Sequence, residues 1–549
     1  MSNAAIYLHP NGFDTSGQVL LGRHSAGESF LRGFVRHADV ERFHFWNVAG
    51  RPQAELDALV ERIEAPTRPI SWIPQTDRRR LAEAGVLNFP SPGIDTEAWR
   101  RRLVGEQLYA LTGITHTTAT GRVMRIVGDL LLAPLHDYDA LICTSSAVRA
   151  AVETQMQMMR EYLDELHGPR CTPELQRVTI PLGVNCDDFQ TSPADRKRWR
   201  DELGIPDDAI VVLYVGRFQA KAKMNPALMA MALERAARRT DKEIWWVNSG
   251  WIEPAGTGDV FHGETAKLCP SVRYVHIDGR PPDVRFSIWS VADLFISFSD
   301  NIQETFGLTP VEAMAAGIPC VVSDWNGYKD TVRDGLDGFR IPTTAPRPNF
   351  GGDLAYYFDN AWLIYDNYVG ATAQYVALDL QKAEDALLRL FEDADLRRTL
   401  GAQARRQARE VFDWAAIIPQ YQALWAEQDA RRRARPHVAP RSNPYRPDPY
   451  VLFAGYPTRH LQPSDVLVLN PGMTWPAAKA RLDGPLAAYS RFNRPTAAEC
   501  EKVIVFLAEQ GPAPVARLRE LIPEGRRNFL ERGLLWLARH DVVTIHPAA

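Results

Sequence analysis

The sequence predicts an α/β protein made of two doubly wound domains in tandem, followed by a small, mainly α C-terminal module. Three observations carry this. Short apolar runs alternate with helical patterns over roughly the first 430 residues, as in parallel sheets covered by helices on both faces. The series starts afresh at Ile210 after a charged, proline-bearing stretch, so there are two such units. An Arg- and Pro-rich segment then sets off a last group of helix patterns.

In chain order, AAIYLH (Ala4 to His9) is the first strand. A helix from about Glu28 follows, with Phe30, Leu31, Phe34 and Val35 on one face, and then FHFWNV (Phe43 to Val48). ALICTS (Ala140 to Ser145) and RVTIPLG (Arg177 to Gly183) continue the first sheet. VNCDDFQTSPADRKRWRDELGIPDD reads as the hinge. The second sheet takes IVVLYVGR from Ile210, IWWVNSG from Ile244, VRYVHI from Val272, LFISFS from Leu294 and PCVVS from Pro319. Helical patterns after Pro342 close the second domain with WAAIIPQYQALWAEQ, expected to pass back across the first. The boundaries are thus 1–185, 186–430, a linker and extension over 431–495, and a module over 496–549.

At 549 residues the chain is long for one core. Its 63 Lys and Arg against 67 Asp and Glu give a net charge of -4, no global attraction for a polyanion, and no nucleic-acid partner is expected. The six cysteines have neither zinc-ligand nor disulfide spacing and fit a reducing, cytoplasmic setting. MSNAAIYLHPNG lacks a signal-peptide pattern, and no run of ~18 apolar residues occurs. The protein can at most lie on a membrane. Arg431 to Arg433 with Arg435 read as a solvated linker or as a contact for anionic lipid.

The module's order of three helix patterns and a β-rich end resembles a winged helix. From Thr496 onward, however, seven acids offset seven bases, so duplex affinity lacks its main electrostatic term. A docking or assembly role, with a protein partner or a second copy, is the reading preferred.

The chemistry concentrates in ETFGLTPVEAMAAG, which places Glu304 and Glu312 eight positions apart around a loop that runs into a helix. Thr309 is expected as its cap and Pro310 as its first residue. Amides from Gly307 to Val311 then face an anion at the helix start. Thr309 to Glu312 also spells a capping box, which would occupy Glu312 locally. GRFQAKAK, after the first strand of the second domain, brings Arg217 and either Lys221 or Lys223 to the ligand-binding sheet edge. Two cations and a helix start on one edge suit a diphosphate.

Together these residues resemble the GT4 family of retaining glycosyltransferases, whose two Rossmann-like domains form the GT-B fold. Glu304 and Glu312 match its E-x7-E motif, GIPCVVSDWNGYKDTVRDGLDGFRIP its continuation, LYVGRFQAKAK its Arg/Lys loop and TIPLGVNCDDF its interdomain signature. GITHTTAT carries His116 where the family has a histidine facing the donor sugar. There are two departures. The family's frame would put the lysine on Ala222, so Lys223 is assigned with a one-residue shift, Lys221 remaining open. The first loop, GFDTSGQVLLGRHSAGES, has Gly22 and Gly27 in place of paired glycines.

The resemblance implies transfer of a sugar from a nucleotide diphosphate sugar to a hydroxyl of a carbohydrate, lipid-linked or protein acceptor. Glu312 would bind the ribose and Glu304 the sugar ring. Arg217, Lys223 and His116 would act at the reacting centre. Gly27, Gly216, Phe306, Gly307, Leu308 and Thr309 would complete the donor pocket. No metal or other cofactor is expected, the two cations neutralising the diphosphate. Asp137-Tyr138-Asp139, a D-x-D string that precedes its strand, reads as a polar turn. The alternatives are a nucleotide-sugar epimerase or hydrolase, or a scaffold acting through its C-terminal module.

Overall fold

The computed structural model describes residues 3–13, 22–169, 175–252, 258–489 and 493–548, and the chain divides into two compact units, Met1–Tyr445 and Arg446–Ala549. In the first unit, β1 (Ala5–Leu8), β2 (Phe43–Asn47), β3 (Ile70–Pro74), β4 (Val86–Phe89), β5 (Ala110–Ile114), β6 (Ala140–Cys143) and β7 (Gln176–Thr179) form one sheet in the order 3-2-1-4-5-6-7. A second sheet has the order 10-9-8-11-12-13, from β8 (Ile210–Arg217), β9 (Ile244–Trp251), β10 (Arg273–Asp278), β11 (Leu294–Ser297), β12 (Cys320–Ser323) and β13 (Gly338–Ile341). The pairings within both sheets are parallel. β8 shows why: Ile210 to Tyr214 are buried without alternation, as a strand covered on both faces requires.

The chain crosses between the domains at Val184 and again near Trp414, and the crossings are bonded together. The Val184 amide donates to the Phe412 carbonyl at 2.8 Å, and the Trp414 amide to the Val184 carbonyl at 3.2 Å. The helix Trp414–Ala434 then returns to the first domain, as expected, putting Trp414, Ile418, Tyr421 and Trp425 into the core that holds Phe30 and Phe34. Buried Gln428 donates to the carbonyls of Leu111 (2.9 Å) and Tyr138 (3.0 Å) and accepts from the Thr112 hydroxyl (2.6 Å).

Two sequence expectations change. The stretch expected as a hinge contains the helix Pro193–Leu203, started by the Ser192 side chain on the Asp195 amide and ended at left-handed Gly204. Its Trp199 and Arg200 are buried, and Arg200 donates to Asp293 at 3.2 Å, so the segment belongs to the second domain's core. The D-x-D string is more than a polar turn. Asp139 is fully buried and accepts both terminal nitrogens of Arg101, at 2.6 and 2.7 Å, along with the amides of Leu111 and His136. Its carboxylate is saturated by an internal partner.

The Arg/Pro-rich stretch is extended but seated up to Tyr445. Arg435 pairs with Asp137 at 2.6 Å, Gln107 donates to the Pro436 carbonyl at 2.8 Å, and the Arg441 amide to the Arg102 carbonyl at 3.0 Å. Arg432 and Arg433 pair with Asp429, at 2.5 and 2.8 Å.

The second unit centres on the strand Val466–Leu469, flanked antiparallel by Ala513–Pro514 and Val543–His546 and packed by Ala497–Gln510 and Arg527–Arg539. Thr496 and Glu499 form a capping box, and Arg526 holds the Glu499 carboxyl down to about 2. Leu534 is fully buried, while Phe529 lies between the guanidiniums of Arg526 and Arg532. No helix among the described residues is long and apolar enough to cross a membrane. Cys171 lies outside the described residues.

Candidate active site

Strand order reverses between β1 and β4 in one sheet and between β8 and β11 in the other. Ligand crevices open at the carboxyl ends of strands at such points. A cavity of about 750 Å³ lies there, lined by the residues that follow these strands, and its size suits a small molecule. Eleven of the residues placed at the site from sequence line it: Gly27, His116, Gly216, Arg217, Lys223, Glu304, Phe306, Gly307, Leu308, Thr309 and Glu312. Lys221 does not; its ammonium donates to the Asn367 side chain at 3.0 Å. His9 accepts from the Asn11 amide in the turn Pro10–Gly12. Part of the first loop, residues 14–21, lies outside the described residues, as does the side chain of His24.

The centre of the charged wall is an ion pair. Lys223 Nζ lies 2.6 Å from Glu304 Oε2, and Glu304 Oε1 accepts the amides of Thr305 (3.1 Å) and Phe306 (3.4 Å). Burial alone would raise the Glu304 carboxyl, but Lys223 and these amides hold it below its ordinary value. It therefore remains an acceptor.

The following helix is Leu308–Ala315, two residues earlier than expected at its start. Gly307 is its cap, at φ +96, and a Cβ there would lie 2.3 Å from the Tyr328 ring, so only glycine fits. Thr309 is thus inside the first turn, and among the described residues no side chain caps the helix. The capping-box reading of Glu312 does not hold. The early amides are left for whatever occupies the cavity. Glu312 itself is pushed up by burial, against the opposing pull of Arg285 and Lys223. Phe306 offers only backbone, since its ring is 1% exposed and packs on Phe412.

Gly27 stands where the helix Gly22–His37 crosses the Pro10–Gly12 turn; a Cβ would meet the Gly12 carbonyl oxygen at 2.1 Å. His116 Nε2 is 3.2 Å from the Pro90 carbonyl, an acceptor, which makes that nitrogen the donor.

Direct bonds join the domains beside this wall. The Ser145 hydroxyl donates to the Thr305 carbonyl at 2.7 Å. At the start of the helix Ser146–His167, the Ser146 amide and hydroxyl donate to Asp330, at 2.5 and 2.7 Å. A carboxylate from one domain thus sits on a helix start of the other, where the dipole favours it.

Arg280, Arg285 and Asn88 also line the cavity and were missed from sequence. The two arginines follow β10, and the sheet-edge rule that picked Arg217 would have found them. Asn88, the next-to-last residue of β4, is 5% exposed, with Oδ1 without a partner among the described residues. Nothing local in sequence marks it.

Residues 195–347 match the family model described as glycosyl transferases group 1. The chain is 27% identical over 290 residues to the D-inositol 3-phosphate glycosyltransferase of Corynebacterium efficiens, covering 52% of this chain and 59% of that protein. It is 33% identical over 186 residues to the protein of the same name from Streptomyces bingchenggensis, covering 32% and 38%. The chain therefore spans 59% or less of the length of these relatives. Among solved structures, it is similar to Anabaena Alr3699/HepE in complex with UDP, with 16% identity, 78% of this chain and 100% of that one covered, and a TM-score of 0.48. Sucrose-phosphate synthase from Thermosynechococcus elongatus gives 19%, 66%, 81% and 0.41 for the same measures. The stretch that matches the model for group 1 glycosyl transferases, residues 195–347, carries both glutamates and the four cations of the charged wall.

Proposed function

We propose that the protein is a retaining glycosyltransferase that moves a sugar from a nucleoside diphosphate sugar to an acceptor hydroxyl. The observation that carries this reading is the Lys223–Glu304 pair at 2.6 Å, set beside Arg217 and an uncapped helix start in one cavity. Arg217, Lys223 and the early helix amides bind the diphosphate. Glu304, held ionised, accepts hydroxyl hydrogen bonds from the sugar, and Glu312 accepts those of the ribose.

As the bond from C1 to the phosphate oxygen breaks, its electron pair leaves with the diphosphate. The acceptor oxygen bonds to C1 on the same face, and its proton passes to the departing phosphate oxygen. The two cations and the amides stabilise the growing charge, the kind of preorganised contact whose loss costs about 100-fold or more in rate. No divalent metal is required for that neutralisation. The acceptor is a carbohydrate, a lipid-linked sugar or a protein hydroxyl. The five cysteines among the described residues, all buried and free, support a reducing, cytoplasmic setting, and the unit Arg446–Ala549 serves docking or assembly.

The test is calorimetry of UDP, GDP and ADP in EDTA, followed by turnover of the matching sugar donors. One nucleotide is expected to bind, with nucleoside diphosphate released only when acceptor is present and the anomeric configuration retained. Equal release without any acceptor would favour a hydrolase. Absence of binding for all three would overturn the reading.

A further inference from the structure

Beyond β13 the chain makes an excursion whose two ends are pinned together, Thr343 pairing with Leu378 and Thr344 with Ala377. The excursion holds two helices, Gly352–Asp359 and Tyr365–Ala373, locked to each other by Phe358 stacked on Tyr368 at 4.1 Å and 6°. Its second helix meets the loop that bears Lys223. Asp366 accepts the Gln219 side-chain amide at 3.2 Å, and the Gln219 oxygen in turn accepts the amides of Lys221 (2.9 Å) and Ala222 (2.7 Å). Asn367 accepts the Lys221 ammonium, and Gly370 lies so close to Lys221 that a Cβ would stand 3.0 Å from its Cβ.

Asn301 ties this loop to the one that bears Glu304. It is fully buried, donates to the carbonyls of Lys221 (2.6 Å) and Val369 (3.4 Å), and accepts the Gln303 amide at 2.8 Å. The loop's one-residue shift has a cause here. Ala222, where the lysine would otherwise fall, is 3% exposed and packed with Ala119 and Val369. With that position buried, the next residue turns toward Glu304.

We propose that the helix Tyr365–Ala373 is a positioning element of the active site, with Asp366 and Asn301 as the residues through which it holds Lys223 against Glu304. This rests on the transferase reading above. Neither residue lines the cavity, so each acts through the two loops. A loosened Lys223 loses its alignment with the leaving group more than its attraction for a bound diphosphate, so turnover suffers more than ground-state affinity.

The experiment uses the full-length chain with Asp366→Ala and Asp366→Asn. UDP, GDP and ADP affinities are measured by calorimetry, and kcat with whichever of UDP-glucose, UDP-N-acetylglucosamine and GDP-mannose the wild type turns over. Asp366→Ala is expected to lower kcat about 10- to 100-fold, with nucleotide affinity changed less than about threefold. Asp366→Asn keeps an acceptor for Gln219 and restores kcat to within about threefold. An unchanged kcat, or affinity and kcat falling together without rescue by Asn, overturns the proposal. So does a crystal structure of Asp366→Ala in which Lys223 still meets Glu304, a result independent of donor identity. Failure of the wild type to bind any of the three nucleotides counts against the transferase reading instead.

Discussion

The two walls of the cleft differ in kind. The second domain's wall is charged, with Arg217, Lys223, Arg280, Arg285, Glu304 and Glu312. Among the described residues, the first domain's wall presents Tyr7, Ser25, Asn88, Ser91, His116 and Thr117 with apolar side chains such as Phe13 and Ile114, and no Lys, Arg, Asp or Glu. A charged wall stabilises changes of charge; an uncharged one selects by shape and hydroxyl hydrogen bonds. On the function proposed above, the difference divides the labour into chemistry on one side and choice of acceptor on the other.

The sharpest break of this comparison is Lys223→Ala. It should lower kcat about 100-fold or more, and it should also lower the melting temperature, because the buried Glu304 carboxylate loses its cation. A kcat within tenfold of wild type would mean that the charge on this wall is not catalytic.

Glu312→Gln should weaken nucleotide affinity about tenfold while not weakening the fold. Its pH dependence has a definite sign. A carboxyl raised above 4.5 in the folded protein destabilises it at higher pH, and the penalty fades as pH falls through the raised value. Removing it should therefore raise the melting temperature at pH 8 and give no gain at pH 4. Glu304 has the opposite sign: its stabilisation is present above 4.5 and is lost as pH falls through its lowered value. Thermal scans of Glu312→Gln and Glu304→Gln across that range should diverge; parallel curves would refute the assignment.

On the uncharged wall, Asn88→Ala should raise the acceptor KM by roughly tenfold and leave nucleotide affinity unchanged. An equal loss of nucleotide binding would erase the division between the walls. The smallest effect is expected from a chain ending at Tyr445, which keeps the seated strap and should bind nucleotide within about twofold of the full chain. Loss of that binding, measured by calorimetry on a folded truncation, would make the second unit part of the site.

In the second sheet β8, β11 and β12 were legible because each is largely an apolar run, β8 to the residue. β3, β4, β5 and β13 escaped notice because they are four or five residues long and broken by polar or small residues. Thr112 can sit inside β5 only because Gln428, over 300 positions later, satisfies its hydroxyl. The glutamates and cations were legible through spacing. The cap was not, since Gly307 replaces Thr309 through a contact with distant Tyr328. The charged helix Pro193–Leu203 was misjudged by composition, although Ser192-Pro193 was a local start signal.

The bond from the Ser145 hydroxyl to the Thr305 carbonyl has a consequence for wasted turnover. Its acceptor belongs to the residue directly after Glu304, so parting the domains would break a tether one residue from that acid. Admission of bulk water and loss of alignment therefore coincide. On the function proposed above, a parted cleft is a disarmed one, and the same small hydroxyl that helps hold the cleft shut would shield the activated sugar from futile hydrolysis.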